Sequence, residues 1–222
     1  MDQMTLFMVV GGLLILTLVL ASIAQRYHAF VEERRQHVQR ILKRVGEIDG
    51  IIQRMTGLPV PIEAERILRR DIIARLQALK GIHARYDGID RMIREAQQTL
   101  EQVSAKPAST RLNEQQLVRL TRLTGEIEWL VQEKRLLIPV SPEEGAQLLE
   151  LMRMRRAESL YNHHLPEANR LANSDQIHQA LWHCEHLKKV LKSYQPENQQ
   201  INAWYLEVEK LNKQISKRLA GG

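Results

Sequence analysis

The chain has one cysteine, two phenylalanines and no stretch of strand-like alternation. Each lack closes off a class of protein. The single thiol, Cys184, allows no intrachain disulfide, so this is not a disulfide-stapled small domain. Aromatics make up 5% of the residues, and β-branched residues recur mostly as single apolar positions three or four apart, so an all-α chain is expected rather than a sandwich or barrel. A phosphate-cradling glycine loop, a nucleophile elbow, a zinc-protease helix and a kinase motif are all missing. No catalytic residue or cofactor is therefore expected, and the chain is read as not an enzyme. The net charge of +6 is spread over both halves without a basic tail. Nucleic acid is accordingly not an expected partner.

One stretch lacks ionisable side chains altogether. Residues 5–24, TLFMVVGGLLILTLVLASIA, are twenty in number and as a helix would reach about 30 Å, the thickness of a bilayer's hydrocarbon core. They are read as a transmembrane helix. Ser22 and Ala24 would suit signal-peptide cleavage before Gln25, but the leader Met1-Asp2-Gln3-Met4 has no Lys or Arg, and a signal peptide wants a basic start. Arg26, Arg34, Arg35, Arg40, Lys43 and Arg44 all follow the run, and basic flanks stay on the cytoplasmic side. Residues 1–4 should lie outside the cell and the body in the cytoplasm. The compact body without long disordered linkers suggests a bacterial inner membrane. Gly11, Gly12, Thr17 and Ala21 would let two spans approach closely.

From residue 25 to 105 the pattern predicts a long, antiparallel, coiled-coil-like helical hairpin. Its first helix continues the span to about Met55, with Val31, Val38, Val45 and Ile52 seven apart and Ile41, Ile48 and Met55 as the second heptad row. Arg34 stands where that second row would start. The seam makes a homo-oligomer through this helix a candidate. Gly57, Pro59 and Pro61 end the helix. A second is expected over about 62–104, bent or broken near Gly81 and Gly88.

Residues 106–112, around Pro107, read as a linker, and residues 113–222 as a distal domain of shorter helical hairpins. Asn113 and Gln116 form a capping-box pattern opening a helix that carries Leu117, Leu120, Leu123, Ile127, Leu130 and Leu137, stopped at Pro139. Ser141-Pro142-Glu143-Glu144 is a second start, with Ser141 as cap and Glu144 reaching back. Leu165-Pro166 should kink or end that helix, and Asn173-Ser174-Asp175 should begin the next, with Leu181, Cys184, Leu187 and Leu191 inside. A turn at Tyr194-Gln195-Pro196 and a last helix with Ile201, Trp204, Val208, Leu211 and Ile215 complete the chain.

Three constellations bear on chemistry. His163, His164, His178, His183 and His186 crowd around Cys184, yet Cys184 lies about 100 degrees from His183 on a helix, and no finger-like pair accompanies them, so no metal is expected. Asp87-Gly88-Ile89-Asp90 lacks the alternating ligands and closing Glu of a calcium loop. The clusters Arg66, Arg69, Arg70 and Arg153, Arg155, Arg156 are interleaved with core positions or acids and suit anionic lipid headgroups better than nucleic acid. Trp204, Trp182 and Trp129 are the candidate partner-binding residues, because aromatic anchors in helical grooves supply much of the energy of such interfaces. The expected function is a single-pass, membrane-anchored cytoplasmic scaffold or adaptor for a protein partner that the sequence does not name. The alternative is a membrane-tethered regulatory or catalytic domain with a site among the distal hairpins.

Overall fold

A computed structural model describes residues 3–104, 112–194 and 198–221, with side chains for residues 17, 18 and 20–220 among them. All regular structure among the described residues is helical: α1 (Gln3–Met55), α2 (Ile62–Ile82), α3 (Ile89–Glu101), α4 (Glu114–Gln132), α5 (Pro142–Asn173), α6 (Ile177–Ser193) and α7 (Gln199–Gly221). The apolar run 5–24 forms the N-terminal part of α1, and the side chains of most of it lie outside the described residues. Among the described residues no helix is long and apolar enough to cross a membrane.

α1 ends where expected. Gly57 takes φ +79°, a left-handed conformation that side-chain-bearing residues rarely adopt, and Pro59 and Pro61 follow before α2 begins. α2 then packs along α1, burying Val38, Ile48, Ile51, Ile52 and Met55 of one helix in a common core with Ala64, Ile67, Leu68, Ile72, Leu76 and Leu79 of the other. Arg34 donates to the carbonyl of Ile82, so the two helices run antiparallel and a cation closes the negative C-terminal end of α2. The chain breaks at residues 83–88, where Gly88 takes φ +74°, and α3 folds back on α2.

α4 opens with the full capping box: the Asn113 side chain accepts from Gln116 N at 2.8 Å, and the Gln116 side chain accepts from Asn113 N at 2.9 Å. Four expectations in the distal half need correction. α4 stops at Gln132, seven residues before Pro139, and Leu137 is an exposed loop residue rather than part of the helical stripe. Ser141 caps α5 by accepting from Glu144 N at 3.1 Å, but the Glu144 carboxylate turns outward to Arg70 at 2.8 Å instead of reaching back. α5 does not end at Pro166 but continues to Asn173, because one missing backbone donor is outweighed by the buried Leu160, His164, Ala168, Leu171 and Ala172 on both sides of it. Ser174 ends α5, and α6 starts at Ile177 without a side-chain cap, since Asp175 sits in a left-handed turn (φ 60°).

α4, α5, α6 and α7 pack as successive antiparallel neighbours, with α7 also against α5. Residues 105–111, most of the expected linker, and residues 195–197, with part of the expected turn, lie outside the described residues. The two halves are nonetheless joined. α1 packs against α4, Arg54 pairs with Glu126 at 2.9 Å, and Arg70 pairs with Glu144. The buried joint is made by Asp71, 0% exposed, whose carboxylate accepts from the backbone N–H groups of Leu137 and Ile138 and pairs with Arg75 at 2.6 Å. Arg75 in turn donates to the Arg135 carbonyl at 3.0 Å.

Candidate functional site

The densest group of chemically capable side chains sits where α5 packs against α6. His163 and His164 come from the middle of α5, and Trp182, His183 and His186 from one side of α6, the last two three residues apart on a shared face. Apolar packing holds these residues together, because Leu160, Ala168, Ala180, Cys184 and Leu187 are all buried in the same seam. His164 is buried there. Its ring centroid lies 5.0 Å from that of His163, 5.1 Å from His183 and 5.0 Å from His186.

The hydrogen bonds restrict where the protons sit. His163 Nδ1 lies 2.9 Å from the Leu112 carbonyl, which only accepts, so His163 carries a proton on Nδ1 and ties the approach to α4 onto α5. His164 Nδ1 and His183 Nδ1 are 2.8 Å apart. One must donate and the other accept, so the two rings cannot both be cations in this arrangement. Burial pushes His164 down to about 3, helped by the neighbouring His163, His183 and His186, and burial also lowers His183 against the opposing pull of Glu167. At neutral pH His164 is therefore an uncharged imidazole that keeps a single ring proton.

No group of three or more His, Cys, Asp or Glu among the described residues converges as a metal site. Cys184 faces the core, and burial pushes its thiol up to about 11, which leaves it a packing residue with little thiolate at neutral pH.

The three tryptophans are separated by the fold. Trp182 is 57% exposed, stacked on His186 at 5.4 Å and edge-on to His183 at 4.9 Å. Trp129, on α4, is also exposed and carries the Arg135 guanidinium 5.5 Å above its ring. Trp204 is half-buried between α7 and α5, stacked on Tyr161 at 5.0 Å. The Tyr161 hydroxyl donates to Glu207 at 2.5 Å, and burial together with that bond pushes the phenol up. No ring contact among the described residues joins any two of the three. A groove of about 490 Å³ runs between the α1–α2 turn and α5, lined by Gly57, Pro59, Arg69, Leu151, Arg155 and Asn162 among others, and no tryptophan lines it.

No local spacing pattern announces the His164–His183 contact, because the two residues are nineteen positions apart and on different helices. The signal available was that His164 continues the apolar stripe of Leu160 and Leu171, which marks it as inward-facing. No protein-family model, curated protein or solved structure matched the chain.

Proposed function

We propose that the chain is a single-pass membrane-anchored helical scaffold, held by residues 5–24 and presenting its body to a protein partner in the cytoplasm. The observation that carries the reading is the single helix α1, which runs without a break from the apolar run into the core of the body. Leu18, Leu20, Ile23, Tyr27 and Phe30 are all exposed, and the packed body begins only near Arg34. A segment so apolar and so uncovered suits a lipid surrounding far better than water. The twenty residues without an ionisable group supply the length, and the Lys and Arg residues that follow them, with none before, supply the orientation.

The distal face is the better partner surface. Trp182 and His186 stack in the open on α6, and Trp129 stands in the open on α4, whereas Trp204 already spends much of its ring on Tyr161. The decisive experiment combines anchoring and topology. Membranes bearing the full chain should retain it through alkaline carbonate, and a reporter fused after Gly222 that is active only when exported should stay silent. An active reporter would invert the topology, and extraction by carbonate would remove the anchor from the reading. Affinity capture from detergent-solubilised membranes, with Trp182→Ala as the control that loses the partner, then tests the adaptor role.

A further inference from the structure

α1 carries one apolar face that meets two different surroundings. In heptad register the face is Ala24, Val31, Val38, Val45 and Ile52 in one row and Leu20, Tyr27, Arg34, Ile41, Ile48 and Met55 in the other, flanked by Ile23 and Phe30. From Arg34 onward α2 covers it. Arg34 meets the last residue of α2, Ile82, and Val38, the first residue of the rows beyond it, is only 7% exposed. Before Arg34 the same stripe continues uncovered by any described residue, with Tyr27 66% and Phe30 61% exposed and Val31 also open.

We propose that this uncovered stretch, residues 20–31, packs in parallel against the same stretch of a second copy, forming a short coiled-coil stalk that emerges from the membrane. The proposal rests on the reading of residues 5–24 as a span, and it names the partner of the stalk. A second copy fits for three reasons. The uncovered residues keep the register of the seam that α2 occupies further along, so the face is already shaped for a helix. Two copies anchored by the same segment in the same orientation are parallel and in register before they meet, and confinement to a membrane raises their effective concentration. The stripe is also narrow: Arg26, His28, Glu32, Glu33 and Arg35 occupy the other faces of the same turns and are exposed, as expected for one helix-wide contact. The stretch is only about 17 Å long, too short to pair in free solution, so pairing depends on the anchor.

The placement differs from a seam through the whole of α1. Val38 is used within each copy, so contacts between copies must end near Arg34, where the C-terminal end of α2 starts to cover α1. The test uses the full chain in its own membranes, with Cys184→Ala as background and single cysteines at Tyr27, Val31, Val38 or Ala29, under oxidative cross-linking. Ala29 lies on the opposite face of the exposed stretch. Tyr27→Cys and Val31→Cys should give disulfide-linked dimers severalfold more than Ala29→Cys or Val38→Cys. Val31→Asp should abolish the dimer at Tyr27→Cys while leaving the melting temperature of the body unchanged, because Val31 lies outside its core.

Equal cross-linking at Ala29 and Tyr27 would show random collision and overturn the proposal. Absence of dimers in carbonate-resistant membranes would overturn it too, leaving Tyr27 and Phe30 to the lipid headgroups while the anchored reading survives. Release of the chain by carbonate would overturn the span and the enforced parallel pairing together.

Discussion

The buried carboxylate of Asp71 accepts the backbone N–H of Leu137, sixty-six residues further along the chain, and so ties the α1–α2 hairpin to the loop between α4 and α5. A buried charge is tolerated only when it is paired and its lone pairs are used, and here Arg75, Leu137 and Ile138 meet both needs. Removing the acceptor would leave two loop N–H groups and a half-buried guanidinium without it. Asp71→Ala should cost roughly 3–5 kcal/mol in chemical denaturation, and Asp71→Asn somewhat less. A cost under about 1 kcal/mol for Asp71→Ala would show that the joint is ornamental.

Exposed pairs across the same joint should behave differently. Arg54 with Glu126 and Arg70 with Glu144 join the same two halves, but their side chains are largely in water and screened by salt. Arg54→Ala and Arg70→Ala should each change stability by about 0–1 kcal/mol, less in high salt, and the contrast with Asp71 would locate the coupling in the buried bond. A melting series of the three variants at two salt concentrations is sufficient to check it.

The histidine contact gives the fold a pH dependence of defined sign. His164 sits near 3 when folded and near the ordinary histidine value when unfolded, so between those values the unfolded chain binds more protons. Stability is then present at neutral pH and is lost as pH falls from about 6.5 towards 3, by up to about 5 kcal/mol for the single group. Exposed carboxylates whose values are lowered by partners, such as Glu167 beside Arg170, lose stability in the same direction. The difference between wild type and His164→Leu therefore isolates the histidine. The variant's melting temperature should fall less steeply between pH 7 and 4. Parallel slopes for the two proteins would mean that His164 titrates normally.

Much of this fold was legible because short-range rules decided it. The Gly57, Pro59 and Pro61 stop, the Asn113–Gln116 capping box and the seam from Val38 to Met55 depend on neighbours a few residues away, and each stands as the pattern predicts. Where tertiary contacts compete with local rules, local rules lost. Pro166 stays inside α5 because the helix is packed on both sides of it, and Glu144 leaves its own cap for Arg70 on α2. Neither the Asp71 joint nor the His164–His183 contact has a spacing signal, since each is made by side chains whose meeting depends on which helices become neighbours. The tryptophans were recognisable as anchors by type, but not which of them faces water.

That last distinction yields opposite expectations for two similar substitutions. Trp204 is half-buried, stacked on Tyr161 and part of the layer that fastens α7 to α5, so Trp204→Ala should destabilise the body by roughly 2–4 kcal/mol, with any loss of partner following from unfolding. Trp182 has more than half its surface in water and rests on His186, which is itself exposed, so Trp182→Ala should change stability by less than about 1 kcal/mol. If the α6 face is the docking surface, the same substitution should abolish capture of the partner from membranes. Melting curves and capture measured on both variants separate the roles. Retained capture by a stable Trp182→Ala protein would move recognition away from α6, leaving Trp129 with its Arg135 lid as the other exposed tryptophan to test.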